Sequence, residues 1–230
     1  MSIRNRGRKP IAQTNTRSPI TESYRNVRTN IQFASVADTT KVILITSTVP
    51  SEGKTSTSSN LAIVSAQAGK RVLLIDADMR KPQIHQAFQI SNLAGLTSLL
   101  IKEHTFAEAV IESETPGLFI LPSGPIPPNP SEILSSQLFS DFIEQCQTEF
   151  DLVIIDTPPV LTVTDALVAN RVADGVLFVI DSQRTNRVHV KKAVHALQQI
   201  DARILGVVLN RMKRSKGDLY YYQYYASNAN

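Results

Sequence analysis

Three short stretches of this sequence gather the residue types that handle phosphates. The first, TSTVPSEGKTS, reads as Thr48, four intervening residues, then Gly53, Lys54 and Thr55. This is the spacing of a phosphate-binding loop, although Thr48 stands where glycine is usual. Backbone N–H groups along Ser51, Glu52, Gly53 and Ser56, with the start of the helix that follows, favour anionic oxygens. Lys54 would reach the β- and γ-phosphates of a nucleotide, and Thr55 would offer its hydroxyl to Mg²⁺. A Gly-Lys-Thr turn also arises by chance, so its surroundings decide the reading.

The other two stretches supply those surroundings. VLLIDADMR carries Asp76 and Asp78, and LVIIDTPP carries Asp156. A carboxylate at the tip of a buried strand is costly unless something positive meets it. Mg²⁺ meets that need, since it takes oxygen ligands and keeps waters beside one or two carboxylates and the phosphates. Any one of these aspartates would serve equally well as a helix cap. All three beside a phosphate loop point instead to a site for ATP and Mg²⁺.

Such residues need strands to hold them. Apolar runs of strand length occur at 41–46, 71–76, 118–123, 151–156, 175–181 and 204–210. They lack strict polar alternation, which predicts burial on both faces, as in a parallel sheet. Helical stretches at 54–68, 131–148, 164–172 and 187–200 lie between most of them. Strand alternating with helix predicts an α/β fold, a mostly parallel sheet flanked by helices, of P-loop NTPase type. Ligands of such sheets bind at the carboxyl ends of the strands, where the loop and the aspartates stand. Asn210 ends the last run. It is either an ordinary strand-end turn residue or, by similarity to related nucleotide-binding folds, an adenine contact. LPSGPIPPNP places five prolines between Pro122 and Pro130. It predicts a rigid loop, with Asn129 as cap and Pro130 as the first residue of the next helix.

Composition narrows the class. A chain of 230 residues with 42% hydrophobic content suits one α/β domain. The net charge of +4 is carried by the ends: Arg4, Arg6, Arg8, Lys9 and Arg17 at one, and Arg211, Lys213, Arg214 and Lys216 at the other. The middle is near balance, so no nucleic-acid partner is expected, and the basic ends read either as solvated tails or as arms for anionic surfaces. A single cysteine, Cys146, excludes an internal disulfide framework and fits a reducing cytosol. No apolar run approaches the ~18 residues of a membrane span. A soluble cytoplasmic protein is therefore expected, linked to any membrane through a partner.

From about Ser18 onward the chain resembles the bacterial tyrosine kinases, or BY-kinases. The likeness rests on PSEGKTS, LLIDADMRKP, VIIDTPP, the proline loop SGPIPPNPSEIL, the helix ESYRNVRTNI and the terminal tyrosines. It implies ATP-dependent autophosphorylation on tyrosine, other protein substrates, and a role in exopolysaccharide or capsule production. It also implies a separate membrane adaptor that activates the kinase and recruits it to the inner face of the membrane. By the same resemblance Asp76 and Asp78 divide metal binding and acceptor activation, and Asp156 completes the metal site. Which aspartate is the base stays open: a phenol with a pKa near ~10 must lose its proton as it attacks. Partitioning and division-site ATPases share the fold and the motifs, but usually carry an extra lysine five residues before the position of Lys54. This chain has Val49 there. A small-molecule ligase on the same fold would leave the tyrosines unexplained.

The ends complete the reading. Ser18 as cap and Pro19 in the first turn open a helix. Ile20, Tyr24, Val27 and Ile31 form one apolar stripe along it, which makes Tyr24 structural rather than an acceptor. Glu22, Arg25 and Arg28 lie on another strip. This is either an exposed face with an ion pair worth about 0.2–0.5 kcal/mol or, by resemblance, the Glu-x-x-Arg-x-x-Arg self-association motif of the family. The second reading implies a ring of subunits. Tyr220, Tyr221, Tyr222, Tyr224 and Tyr225 are the expected phosphoacceptors, labelled in trans. The expected organisation is a basic disordered arm over 1–17, a P-loop kinase domain over 18–212 and a flexible tail over 213–230.

Overall fold

A computed structural model describes residues 9–34 and 40–213. The five expected acceptor tyrosines lie outside the described residues, as does the start of the basic arm. The six apolar runs all form strands: β1 (Val42–Ser47), β2 (Val72–Asp76), β4 (Leu118–Leu121), β5 (Leu152–Asp156), β6 (Gly175–Asp181) and β7 (Ile204–Asn210). A seventh strand, β3 (Ile111–Glu112), has only two residues, too few to stand out as an apolar run. The sheet runs β3-β4-β2-β5-β1-β6-β7, and every neighbouring pair is parallel except β3 and β4.

Burial follows from this order. Every residue of β1, β2 and β5 is buried, because these strands lie in the middle with helices on both faces. Alternate side chains feed two cores: Val42 and Leu44 enter one, Ile43 and Ile45 the other. Each fully buried residue of this size contributes about 1.5–3 kcal/mol relative to an exposed one. β7 departs from the expectation of two buried faces. It is an edge strand, and Val207 and Leu209 are about half exposed.

The helices pack on both faces. On one side lie α1 (Ile11–Thr14), α2 (Pro19–Ala34), α3 (Lys54–Ala66) and α4 (Ile84–Phe88), with Ala12, Ile31, Leu61 and Ile84 in the second core. On the other lie α5 (Leu96–Leu100), α6 (Phe106–Ala109), α7 (Pro130–Ser135), α8 (Gln137–Glu149), α9 (Asp165–Ala169) and α10 (Arg187–Gln198). The helix expected over 131–148 is two, because Ser136 adopts an extended backbone and accepts a hydrogen bond from Phe139 N to cap α8. The stretch at 164–172 is the short α9 followed by a 3₁₀ turn at Asn170–Val172. Asn129 precedes α7 as expected, but its side chain donates to Glu132 instead of accepting from the backbone.

The start of the domain also differs from the expected boundary. Residues 9–13 pack on the sheet's helices instead of belonging to a free arm, while Thr14, Asn15, Thr16 and Arg17 are exposed. Ala12 is fully buried and donates its N–H to Asn60 at 2.8 Å, Gln67 donates to the Ala12 carbonyl, and Lys9 pairs with Glu114. A four-residue helix sealed by one alanine leaves no hydrophobic period to read. In α2 the apolar stripe holds for Tyr24, Val27 and Ile31, while Ile20 is 48% exposed. Among the described residues, no helix is long and apolar enough to cross a membrane.

Candidate active site

The phosphate loop turns from the tip of β1 into α3. Two residues there have left-handed backbone, Ser51 at φ 68° and Gly53 at φ 97°. Gly53 also leaves room for a neighbouring side chain. A Cβ at this position would lie 2.0 Å from Asn210 Nδ2. Asn210, at the end of β7, donates to the carbonyl of Glu52 at 2.9 Å, so it does reach the loop. The Glu52 side chain turns away from any ligand. It is buried, accepts from Val49 N at 2.9 Å and takes the Thr185 hydroxyl in a short hydrogen bond. Ser56 is exposed on the first turn of α3.

Parallel pairing brings the aspartates to this loop. Asp76 and Asp156 are register partners at the ends of the adjacent strands β2 and β5, and Asp156 is paired with Ile45 of β1. Lys54 Nζ lies 2.7 Å from Asp78 Oδ2 and 3.9 Å from Asp156 Oδ2. The Thr55 hydroxyl donates to Asp156 Oδ2 at 2.7 Å. Asp76 is embedded in the backbone of the following turn. Its Oδ2 accepts the N–H groups of Gln83 and Ile84, both at 3.0 Å, and its Oδ1 accepts that of Asp78 at 3.2 Å. Lys54, Thr55, Asp76, Asp78, Asp156 and Asn210 thus meet at one end of the sheet.

The electrostatics are those of a site short of positive charge. Among the described residues, Asp76, Asp78 and Asp156 are buried against a single ammonium, Lys54. Burial, then the nearby Asp156 charge, pushes Asp76 up to about 8 against the pull of the Ile84 N–H and Lys54. Burial also raises Asp156, with Lys54 and Thr55 opposing. For Lys54, burial disfavours the charge, but the Asp156 and Asp78 carboxylates outweigh it and hold the pKa above its ordinary value. Asp156 Oδ1 is buried with no hydrogen-bond partner. Among the described residues no cluster of three or more His, Cys, Asp or Glu is arranged to hold a metal by itself. An excess of carboxylate, an unpartnered Oδ1 and a threonine hydroxyl fit Mg²⁺ arriving with a nucleotide, because that ion takes phosphate and water oxygens as well.

Several residues around the site carry interactions that the motifs did not single out. Asp181 at the end of β6 pairs with Arg211 at 2.6 Å. Arg80, just after Asp78, forms a two-pronged pair with the buried Asp165. Arg80 stands inside the quoted VLLIDADMR, but its partner lies 85 residues away, and no local pattern joins them. On α2, Glu22 and Arg25 pair with each other at 2.8 Å, while Arg28 donates to the Val64 carbonyl of α3. Tyr24 is packed in the second core, and burial raises its pKa against hydrogen bonds with Thr57 and Asn60, as suits a structural residue.

Comparison with known proteins bears on this geometry. Residues 40–209 match the AAA domain family. The chain is 47% identical over 227 residues to the tyrosine-protein kinase YwqD of Bacillus subtilis, covering 96% of each. It is 40% identical to the putative tyrosine-protein kinase CapB of Staphylococcus aureus, covering 90% of this chain and 91% of that one. Among solved structures, the chimerical protein CapA2B2 superposes with a TM-score of 0.86 at 41% identity, over 91% of this chain and 94% of the other. The division-site protein MinD of Pyrococcus horikoshii has a TM-score of 0.64 at 21% identity, over 76% of this chain and 72% of that one, a likeness of fold alone.

Proposed function

The chain belongs to the bacterial tyrosine kinases, and from this premise we propose that Lys54, Thr55 and the three aspartates carry out phosphoryl transfer from ATP to tyrosines of its own C-terminal segment. The observation that carries this reading is the Lys54 ammonium held between Asp78 and Asp156 beside the Thr55 hydroxyl. Nucleotide would lie on the backbone of Ser51, Glu52, Gly53, Lys54, Thr55 and Ser56, with Asn210 flanking the base. Lys54 would then exchange Asp78 for the β- and γ-phosphates, which stabilises charge that develops in the transition state. Thr55 and Asp156, with Asp76 and Asp78 close by, would hold Mg²⁺, which when bound neutralises phosphate charge. The phenol proton would pass to Asp76 or Asp78.

The acceptors are Tyr220, Tyr221, Tyr222, Tyr224 and Tyr225. Tyr220 lies ten positions beyond Asn210, a reach of at most about 33–36 Å. That permits a neighbour's site as well as its own. A ring joined through Glu22, Arg25 and Arg28 would raise the local concentration of each tail at the adjacent site to roughly millimolar. The half-exposed Val207 and Leu209 on the edge strand β7 support a partner at that rim, which we assign to the cytoplasmic end of a membrane adaptor. The adaptor would recruit the kinase to the inner face of the membrane for capsule or exopolysaccharide production. A partitioning-type switch is disfavoured by Val49 and by the distance of the MinD likeness.

The test is incubation of the full chain with Mg²⁺ and ATP, followed by phosphotyrosine detection, for the wild type and for Lys54→Met. Loss of labelling in a folded variant is expected. Labelling at the wild-type rate would overturn the assignment of the site.

A further inference from the structure

The turn that carries Asp78 is gripped from both sides. On the inner side Asp78 Oδ2 accepts from Lys54 Nζ at 2.7 Å, and Lys81 N closes the turn onto Asp78 Oδ1 at 3.1 Å. On the outer side Arg80 reaches away from the phosphate loop. Its Nε and Nη2 donate to the two oxygens of Asp165, at 2.9 and 3.0 Å. Asp165 is the first residue of α9, is fully buried, and also accepts the hydroxyl of Ser131 from α7 in a short hydrogen bond. Arg80 Nη2 touches the same Ser131 hydroxyl at 3.2 Å. Three segments meet here, the turn after β2 and the first turns of α7 and α9.

We propose that Asp165 is a positioning residue for phosphoryl transfer, acting through the Arg80 fork to fix the turn that presents Asp78 to Lys54. A buried ion pair is a poor way to add stability, since apolar residues of similar volume are often as stable or more so. Its geometric value is higher. A bidentate guanidinium–carboxylate pair fixes direction as well as distance, and a misplacement of about 1 Å at a reacting group can cost roughly 100-fold in rate. The side chain of Arg80 is 41% exposed, so it is held by its partners and not by enclosure. The inference rests on the reading that Lys54 and Asp78 serve the transfer.

The experiment compares full-chain wild type, Asp165→Asn, the uncharged pair Arg80→Gln with Asp165→Asn, and Lys54→Met. Melting temperature, ADP binding by calorimetry, and ATP-dependent tyrosine labelling are measured for each. Asp165→Asn leaves Arg80 without its carboxylate and is the variant more exposed to misfolding. The double variant has no unpaired charge and keeps the test open. The expected result is a folded double variant with ADP affinity and KM for ATP within about threefold of wild type and kcat lowered at least 30-fold. A folded double variant labelling within threefold of wild type overturns the positioning role, because the pair then serves stability alone. A raised KM at unchanged kcat overturns it as well. Lys54→Met separates the layers: if it labels normally, the underlying reading of the site has failed, whereas if it is inactive beside an active double variant, only the positioning role has.

Discussion

Lys54 Nζ sits 2.7 Å from Asp78 Oδ2, so the lysine of the phosphate loop is bound to a carboxylate that follows the neighbouring-but-one strand β2. The contact balances part of a buried negative cluster. Lys54→Met should therefore weaken the nucleotide-free protein as well as stop labelling. Leaving a buried charge unpaired typically costs on the order of 3 kcal/mol, and losing the transition-state contact lowers labelling at least ~100-fold. Denaturant titration and phosphotyrosine detection on the same preparation check both.

The pH dependence of stability has a definite sign. Asp76 and Asp156 are held above the ordinary carboxylate range, Asp76 at about 8. Each binds its proton more tightly in the folded chain than in the unfolded one. Their contribution is therefore complete at low pH and lost as pH rises through the folded value. Nucleotide-free protein should lose stability between about pH 5 and pH 9, and Asp76→Asn should flatten the profile. Melting temperatures across that range decide it; a wild-type profile that rises toward pH 9 would contradict the assignment.

Gly53 faces two constraints that can be separated. Its φ of 97° penalises any side chain, and a Cβ would meet Asn210 Nδ2. The asparagine can swing aside, but the backbone cannot. Gly53→Ala should thus cost about 1–2 kcal/mol, the usual left-handed penalty, and nearly the same in an Asn210→Ala background. If the cost vanishes once Asn210 is trimmed, the clash and not the backbone was decisive.

Much of this site was legible in the sequence because its parts are local. Lys54 and Thr55 follow Gly53 directly, and Asp76 and Asp156 end apolar runs whose burial follows from their composition. Parallel pairing then aligns those ends without further instruction. What escaped reading depends on distant partners or on very short elements. Arg80 finds Asp165 only when β2 and β5 lie side by side, and Glu52 turns inward onto Thr185, delivered by the loop after β6, as well as onto the local Val49 N–H. β3 pairs through two residues, and α4, α5 and α6 are too short for a 3.6-residue period to emerge. The exposed face of β7 reflects its place at the sheet edge, which an apolar run does not encode.

The strip on α2 makes distinct predictions for its members. Among the described residues, Glu22 and Arg25 pair with each other and with nearby backbone at the surface, so Arg25→Ala should cost no more than about 0.5 kcal/mol of stability. It should nevertheless shift the protein toward smaller assemblies in sedimentation velocity. Arg28→Ala should also lower stability, because its bond to the Val64 carbonyl is part of the α2–α3 packing. Unchanged sedimentation of Arg25→Ala, at a concentration where the wild type is assembled, would remove the strip from the interface.

The central claim is that one subunit's site phosphorylates another subunit's terminal tyrosines. It is tested by mixing Lys54→Met protein, tail intact, with active protein in which Tyr220, Tyr221, Tyr222, Tyr224 and Tyr225 are phenylalanine, then adding Mg²⁺ and ATP. Neither protein can label itself on the tail, so phosphotyrosine on the Lys54→Met chain, resolved by mass, reports transfer between subunits. We predict that the chain lacking Lys54 becomes labelled at a rate comparable to that of the wild type. An unlabelled tail in the mixture, with wild-type protein labelling normally alongside, would contradict the account.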